Sequence, residues 1–121
     1  MTTPSMTAAI AHFATTAAAP PASALAVARL SLMGWAAVAL AGLEEPVAGM
    51  LRALAREEGG AGQATLIGHG AKVPARMAAL ANGALSHALD YDDTHFAYVG
   101  HPSVAVFPAA LAMAERQDAS A

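Results

Sequence analysis

The chain has 121 residues, a formal net charge of −3 and no cysteine. This length fits one domain of common size. Without a basic excess, binding to a nucleic-acid backbone is not expected. The lack of cysteine excludes disulfides, thiolate zinc sites and a cysteine nucleophile. It is also typical of a reducing compartment, and we expect a cytoplasmic protein.

The composition predicts an all-α fold. Alanine supplies 35 residues and β-branched residues are sparse, which favours helix over strand. Proline and glycine positions set the predicted helix bounds. The five predicted helices span 5–19, 21–42, about 44–58, 74 onward through an acidic run, and 103–117. Residues 63–73 read as a loop with a brief extended segment, and Pro108 is expected to kink the last helix or delay its start.

The second predicted helix is apolar around most of its circumference. Its uncharged part, 30–43, is shorter than the ~20 residues that cross a bilayer. No lysine or arginine precedes Arg29, so the positive region of a signal peptide is missing. We therefore predict that this helix does not span a membrane. We expect it to be buried inside a protein body that is larger than 121 residues can form, with Met33 and Trp35 packed in the core.

Most groups capable of chemistry lie in one polar segment, between Asn82 and Ser103. The segment holds three of the nine acidic residues and three of the five histidines: Asp90, Asp92, Asp93, His87, His95 and His101. If the fourth helix continues through it, Gly83, His87, Asp90 and Thr94 share one stripe. A carboxylate, a hydroxyl and the imidazole of His101 would then suit general acid/base work on a carboxylate substrate.

Other interpretations of this segment remain open from the residues alone. Acidic runs at helix ends are often solvated caps, and a histidine beside an aspartate is often a surface pair. Asp90, Asp92 and Asp93 match the acid motif of protonating terpene cyclases, although the chain has only six aromatic residues. Metal-dependent phosphohydrolases use comparable sets, here His87, Asp90, Asp93 and His95.

A longer pattern around the segment resembles the MmgE/PrpD family, which includes 2-methylcitrate dehydratase and cis-aconitate decarboxylase. The resemblance lies in Asn82-Gly83-Ala84-Leu85-Ser86-His87-Ala88-Leu89-Asp90-Tyr91-Asp92-Asp93-Thr94-His95, His101-Pro102-Ser103 and residues 108–115. Upstream, 38–42, 64–68 and 73–75 are also similar to the family pattern. The similarity covers nearly the whole chain, 1–121, with the signature helix and loop at 75–103.

The resemblance implies an all-helical main domain, a smaller lid domain and homo-oligomers. It also implies lyase or isomerase chemistry on small di- or tricarboxylates, with no cofactor and no metal. Carried over by residue, it assigns catalysis to His101 and Asp90 and substrate contacts to Thr94, Asp90 and His87. Asp92, Asp93 and His95 belong to the signature without an assigned role, and a structural role is open for Asp93.

The sequence departs from the family pattern in two respects. Gly34 and Ala37 stand where members commonly carry an aspartate and a glycine. Members are also several times longer, and the lid and the lysine, histidine and tyrosine groups of their other regions are not in this sequence. We therefore expect the N-terminal segment of such an enzyme, working as a homo-oligomer or with a complementing C-terminal chain. The alternative is an inert remnant or a helical interaction module that pairs with a second chain.

Overall fold

The computed structural model describes residues 5–17, 19–97 and 99–119. Within them the chain forms five α-helices, which confirms the all-α prediction, and one pair of two-residue strands. The helices are α1 (Met6–Thr16), α2 (Ala22–Ala41), α3 (Pro46–Glu58), α4 (Ala75–Ser86) and α5 (Pro102–Arg116). The strands β1 (Ala64–Thr65) and β2 (Lys72–Val73) pair antiparallel, with Ala64 opposite Val73.

Proline and serine begin the helices where the sequence predicts. Ser5 caps α1, since its hydroxyl accepts a hydrogen bond from the backbone N–H of Ala8 at 3.3 Å. Pro46 and Pro102 occupy the first turns of α3 and α5, where no intrahelical donor is needed. Helix α1 ends at Thr16, earlier than predicted, and Ala18 of the predicted span lies outside the described residues.

Helix α4 is the centre of the fold. It contacts α2, α3 and α5, and its buried face includes three alanines, of which Ala78 and Ala81 are fully covered. Small side chains let neighbouring helices approach closely. Leu66 and Leu85 are the largest fully buried apolar side chains of this core. Trp35 joins α2 to α5, with its ring centroid 6.2 Å from that of Phe107.

Glu115 fastens α5 to the small sheet. Its carboxylate accepts hydrogen bonds from the Thr65 backbone N–H at 3.1 Å and hydroxyl at 2.8 Å, and it pairs with Lys72 at 3.0 Å. Burial raises the pKa of Glu115, but the bonds from Lys72 and Thr65 outweigh burial and leave that pKa below its ordinary value.

The apolar spacing of the helices agrees only in part with the faces that are buried. On α2, Met33 is exposed, whereas Trp35 is buried as predicted. On α3 the spacing of Val47, Met50, Leu51 and Leu54 indicates one apolar face, but Met50 and Leu54 are exposed, and the buried residues are Ala48, Leu51 and Ala55. The apolar periodicity was sufficient to predict the helices but not the face that this chain covers.

Helix α2 with the 3-10 turn that follows it, Ala22–Glu44, is long and apolar enough to cross a membrane by length and composition alone. Only 11% of the most apolar 18-residue stretch of this segment is buried. Because the helix also contacts α4 and α5, one of its faces belongs to the protein core. The prediction that it does not span a membrane stays a prediction.

Gly42 ends α2 as predicted. Glycine at a helix end often adopts a left-handed conformation, but the φ of Gly42 is −64°, so another cause requires glycine here. A Cβ at this position would overlap the carbonyl oxygen of Leu85 at the end of α4. Glycine therefore permits close contact between the end of α2 and the end of the signature helix.

Gly42→Ala should destabilise the fold by about 1–3 kcal/mol, because a methyl group forced against a backbone carbonyl must displace α4. Gly49 offers the matched control, since a Cβ there meets nothing within 4 Å and the residue lies inside α3. Gly49→Ala should stabilise by about 0.5–1 kcal/mol through helix propensity. Urea unfolding followed by Trp35 fluorescence compares the two, and equal effects would contradict the close-contact explanation.

Candidate active site

The polar segment folds as a loop between α4 and α5, not as a continuation of α4. Helix α4 ends at Ser86, His87 is its C-cap, and 87–89 form a turn. Asp90 follows with φ +55°, a left-handed conformation that aspartate tolerates better than most residues. The predicted stripe of Gly83, His87, Asp90 and Thr94 along one helix is therefore wrong.

Gly83 serves helix packing. A Cβ on it would lie 3.4 Å from the carbonyl oxygen of Val104 and 3.6 Å from Cγ of Pro108, both on α5. Helix α5 continues through Pro108, which cannot donate the backbone hydrogen bond that Val104 would otherwise accept. The glycine thus faces the weakened turn of the neighbouring helix and does not open a pocket.

The loop nevertheless brings predicted site residues together. Four polar side-chain atoms lie within 4.8 Å of one another, one each from His87, Asp90, Asp92 and His101. We call these four residues the His/Asp cluster. His87 ends α4 and His101 is the N-cap of α5, so the two helix ends carry the two imidazoles.

Asp92 lies at the centre of the cluster. Its side chain is 0% exposed, and Oδ1 is 2.9 Å from Nδ1 of His87. Oδ2 lies 3.3 Å from Nδ1 of His101, without the geometry of a hydrogen bond. The same His101 nitrogen is also 3.3 Å from the backbone carbonyl oxygen of Asp92. One buried residue therefore holds both imidazoles.

The outer side of the cluster is open. Nε2 of His101 lies 3.6 Å from Oδ1 of Asp90, whose side chain is 78% exposed. The side chain of His87 is 48% exposed. Two clefts of about 430 Å³ flank the loop, but His87, Asp90 and His101 line neither of them. The acid/base edge thus faces outward from this chain.

The remaining predicted residues have different surroundings. Thr94 is exposed and makes no side-chain hydrogen bond to any described residue, so its substrate contact stays a prediction. Asp93 is structural in this fold: it accepts hydrogen bonds from the Ser103 hydroxyl at 2.6 Å and backbone N–H at 3.2 Å. A carboxylate there also suits the positive end of α5. Ser103, predicted as the N-cap, lies one residue inside the helix.

The structure does not gather the set predicted for a metal-dependent phosphohydrolase. Asp93 is hydrogen-bonded to Ser103. The residues that lie beside His87 and Asp90 are Asp92 and His101, and not the predicted Asp93 and His95. Two imidazoles and two carboxylates are ligands that divalent transition metals accept. Absence of a bound metal remains a prediction.

We expect metal content well below one equivalent after chelation and gel filtration. Nδ1 of His87 is bonded to the carboxylate of Asp92, and Nδ1 of His101 is bonded to the backbone carbonyl of Asp92. A cation bound at these nitrogens would have to replace both bonds, including the one that compensates the buried carboxylate. Elemental analysis of the purified chain checks this. Stoichiometric zinc, manganese or iron would contradict it and would renew the metal hypothesis with the His/Asp cluster as its ligands.

The contacts of His87 raise the pKa of its imidazole above the ordinary value. Its hydrogen bond with Asp92 raises the pKa, burial opposes that effect, and the charges of Asp92 and Asp90 raise the pKa further. A raised pKa means that the folded state binds a proton more tightly than the unfolded chain. His87 therefore stabilises the fold fully below its ordinary pKa, and this contribution is lost as pH rises through the raised value.

The stabilising effect of His87 should therefore fall with rising pH. The free energy of unfolding of the native chain, minus that of His87→Gln, should be largest near about pH 6 and smaller near about pH 9. Urea unfolding at several pH values above about 5.5 checks this, since most carboxylates stay ionised there. A difference that grows toward alkaline pH would contradict the assignment.

A family model describes most of the chain. Residues 8–121 match the MmgE/PrpD N-terminal domain. The chain belongs to the MmgE/PrpD family. Searches of the curated proteins and of the solved structures found no match. The signature of this MmgE/PrpD domain is thus the end of α4, the loop that carries the His/Asp cluster, and the start of α5.

Asp92 is the residue whose importance the sequence did not reveal. Its spacing from His87 fits no helical face, so periodicity gave it no role. The available signal was local: an aspartate tolerates the left-handed conformation that ends a helix, and three aspartates follow within seven residues of the last helical turn. A turn at Asp90 would have placed Asp92 back against the helix end.

Proposed function

We propose that this MmgE/PrpD domain supplies the acid/base part of an active site like that of 2-methylcitrate dehydratase. The reaction would be a lyase or isomerase step on a small di- or tricarboxylate. One observation carries the proposal: Nδ1 of His101 is held against Asp92, and Nε2 points toward Asp90 at 3.6 Å on the open side. This orientation presents a proton-exchanging atom to a bound molecule.

The proposed proton transfer uses His101 and Asp90. In the forward direction of an elimination, the protonated ring donates its Nε2 proton to the leaving hydroxyl, which departs as water with the C–O electron pair. A base supplied by the groups that cover the loop takes the proton of the neighbouring carbon, and the electron pair of that C–H bond forms the double bond. In a decarboxylation, the same proton goes to the carbon that loses CO₂. Asp90 accepts a hydrogen bond from Nε2–H or from a substrate hydroxyl, and Thr94 offers a further hydroxyl to the substrate.

The cluster cannot bind a polycarboxylate alone. It combines two carboxylates with two imidazoles and contains no lysine or arginine. Asp90 would repel a substrate carboxylate unless cationic groups lay opposite it. We therefore propose that groups outside this domain cover the exposed side of the loop, from a complementing C-terminal region, a separate chain or a second copy.

A second candidate is a helical interaction module without catalysis. The observation that favours it is the exposed apolar surface of α2, where Val27, Leu30 and Met33 are each more than 60% exposed. Apolar patches of this kind mark contact surfaces in soluble proteins. We propose that protein covers this face, not lipid, and that the protein is cytoplasmic. Both candidates need a partner, but only the first needs the His/Asp cluster.

Co-expression tests the proposed function. The chain would be produced with the C-terminal part of an MmgE/PrpD enzyme, and the purified complex incubated with citrate, 2-methylcitrate and cis-aconitate. Proton NMR follows loss of each acid. We expect conversion of at least one acid by the complex and none by either chain alone. A stable complex that converts none of them would favour the interaction module.

A further inference from the structure

Burial of Asp92 requires an explanation beyond helix capping. Its side chain is 0% exposed, whereas that of Asp90, two residues earlier, is 78% exposed. Removing a carboxylate from water is strongly unfavourable unless partners compensate its charge. The start of α5 is already capped by Asp93. Asp92 instead faces the two imidazoles of the cluster.

The contacts of Asp92 determine which ring nitrogens carry hydrogen. A carboxylate and a backbone carbonyl can only accept hydrogen bonds. Nδ1 of His87 lies 2.9 Å from Oδ1, and Nδ1 of His101 lies 3.3 Å from both Oδ2 and the carbonyl oxygen. Nδ1 of His87 therefore carries a hydrogen toward the carboxylate, and Nδ1 of His101 carries one toward the carbonyl oxygen. Oδ2 makes no hydrogen bond, and its negative charge 3.3 Å from Nδ1 of His101 favours the same tautomer. In the neutral rings, the lone pair is then on Nε2.

This tautomer suits the reaction proposed above. A neutral His101 with hydrogen on Nδ1 can accept a proton only at Nε2, the nitrogen on the open side beside Asp90. When it later gives that proton up, Nδ1–H remains bonded to Asp92. The opposite tautomer would point N–H at the substrate and leave no base there. In a serine protease, holding the catalytic histidine in the wrong tautomer lowers turnover by about 10⁴-fold.

We propose that Asp92 is a positioning residue, whose buried carboxylate holds His101 in the Nδ1–H tautomer and leaves Nε2 free to exchange a proton with the substrate. The catalytic consequence rests on the proposed function, whereas the tautomer does not. His87 shares the carboxylate from the other side, with its ring centroid 5.0 Å from that of His101 in an edge arrangement. It thereby limits the orientations open to Asp92.

The isosteric variant Asp92→Asn tests this directly. A carboxylate offers an acceptor to each imidazole, but an asparagine offers one acceptor and one NH₂ group. With its oxygen toward His87, its NH₂ faces Nδ1 of His101 and favours a lone pair there. The Asp92 backbone carbonyl is unchanged by the substitution, so the variant separates the carboxylate from the carbonyl as the group that sets the tautomer.

The tautomer can be read in the 121-residue chain by long-range ¹H–¹⁵N NMR correlations of labelled histidines, on the alkaline side of their titrations. Difference spectra from His87→Gln and His101→Gln assign the signals. We expect Nδ1–H at His101 in the native chain, and Nε2–H or a mixture in Asp92→Asn. Asp90→Asn is the matched control, since Asp90 faces the other nitrogen and its loss should leave Nδ1–H in place.

Two results would overturn the proposal. One is Nε2–H at His101 in the native chain, a result that does not depend on any variant folding. The other is a folded Asp92→Asn in which His101 keeps Nδ1–H, because the backbone carbonyl would then be sufficient.

A kinetic measurement tests the catalytic consequence separately. In the complemented enzyme, Asp92→Asn should lower kcat by about 10²–10⁴-fold with little change in KM. An equal kcat in the two enzymes would overturn the positioning role. If no acid is converted by the native complex, the proposed function fails, and the NMR result still decides the role of Asp92.

Discussion

His101→Ala should lower the turnover of the complemented enzyme by about 10²–10⁴-fold, the usual contribution of a general acid or base. His101 occupies the N-cap position of α5, and Nε2 of its ring lies 3.6 Å from Oδ1 of Asp90, so loss of the ring removes the proton-exchanging atom of the cluster. Capping of α5 by Asp93 does not involve the ring. The fold should therefore survive, and kcat should fall more than substrate affinity.

The control for His101→Ala is His12→Ala, which removes an exposed imidazole from α1, far in sequence from the loop. Its turnover should equal that of the native enzyme, and circular dichroism should show both variants folded. Near-normal turnover in His101→Ala would take His101 out of the mechanism. The loop would then be a structural connection between α4 and α5.

The helices were predictable because their signals are local. Alanine-rich composition gave helix, and Pro46, Pro74 and Gly42 gave boundaries that the structure confirms within a residue or two. Proline limits the backbone by its own geometry, so the two proline boundaries needed no knowledge of distant contacts. Gly42 gave a correct boundary, although its role in the structure is the close contact with Leu85.

The end of α4 was not predictable in the same way. No proline or glycine follows Ser86 before Gly100, so the pattern of the sequence allowed the helix to continue. The turn forms where His87 meets Asp92 and Ser103 meets Asp93. These contacts join residues across the loop, and helical periodicity does not describe them. The site was therefore predicted in the right segment but with the wrong geometry.

The buried face of α3 was a further failure of periodicity. Met50, Leu51 and Leu54 have the spacing of a core stripe, yet of these only Leu51 is buried, together with Ala48 and Ala55. A stripe of large apolar residues indicates that some surface will cover it. It does not state that the covering surface belongs to this domain.

Asn82 is a buried polar side chain, outside the His/Asp cluster, that joins two segments of the fold. It is 6% exposed, and its amide makes two hydrogen bonds to the segment that follows α3. Oδ1 accepts from the backbone N–H of Ile67 and Nδ2 donates to the carbonyl of Thr65, both at 2.9 Å. The signature helix is thereby joined to β1 through two backbone groups.

Asn82→Ala should lower the free energy of unfolding by about 2–4 kcal/mol, because each orphaned backbone group costs about 1–3 kcal/mol when it stays dry. Urea unfolding followed by Trp35 fluorescence measures the change. Ser86→Ala is the control on the same helix: Ser86 is equally buried, but its hydroxyl donates only to the carbonyl of Gly83 within α4. Removing it leaves no group of another segment unpaired and should cost less than about 1 kcal/mol. Equal losses in the two variants would show that burial of any polar side chain on α4 matters, and that the link to β1 does not.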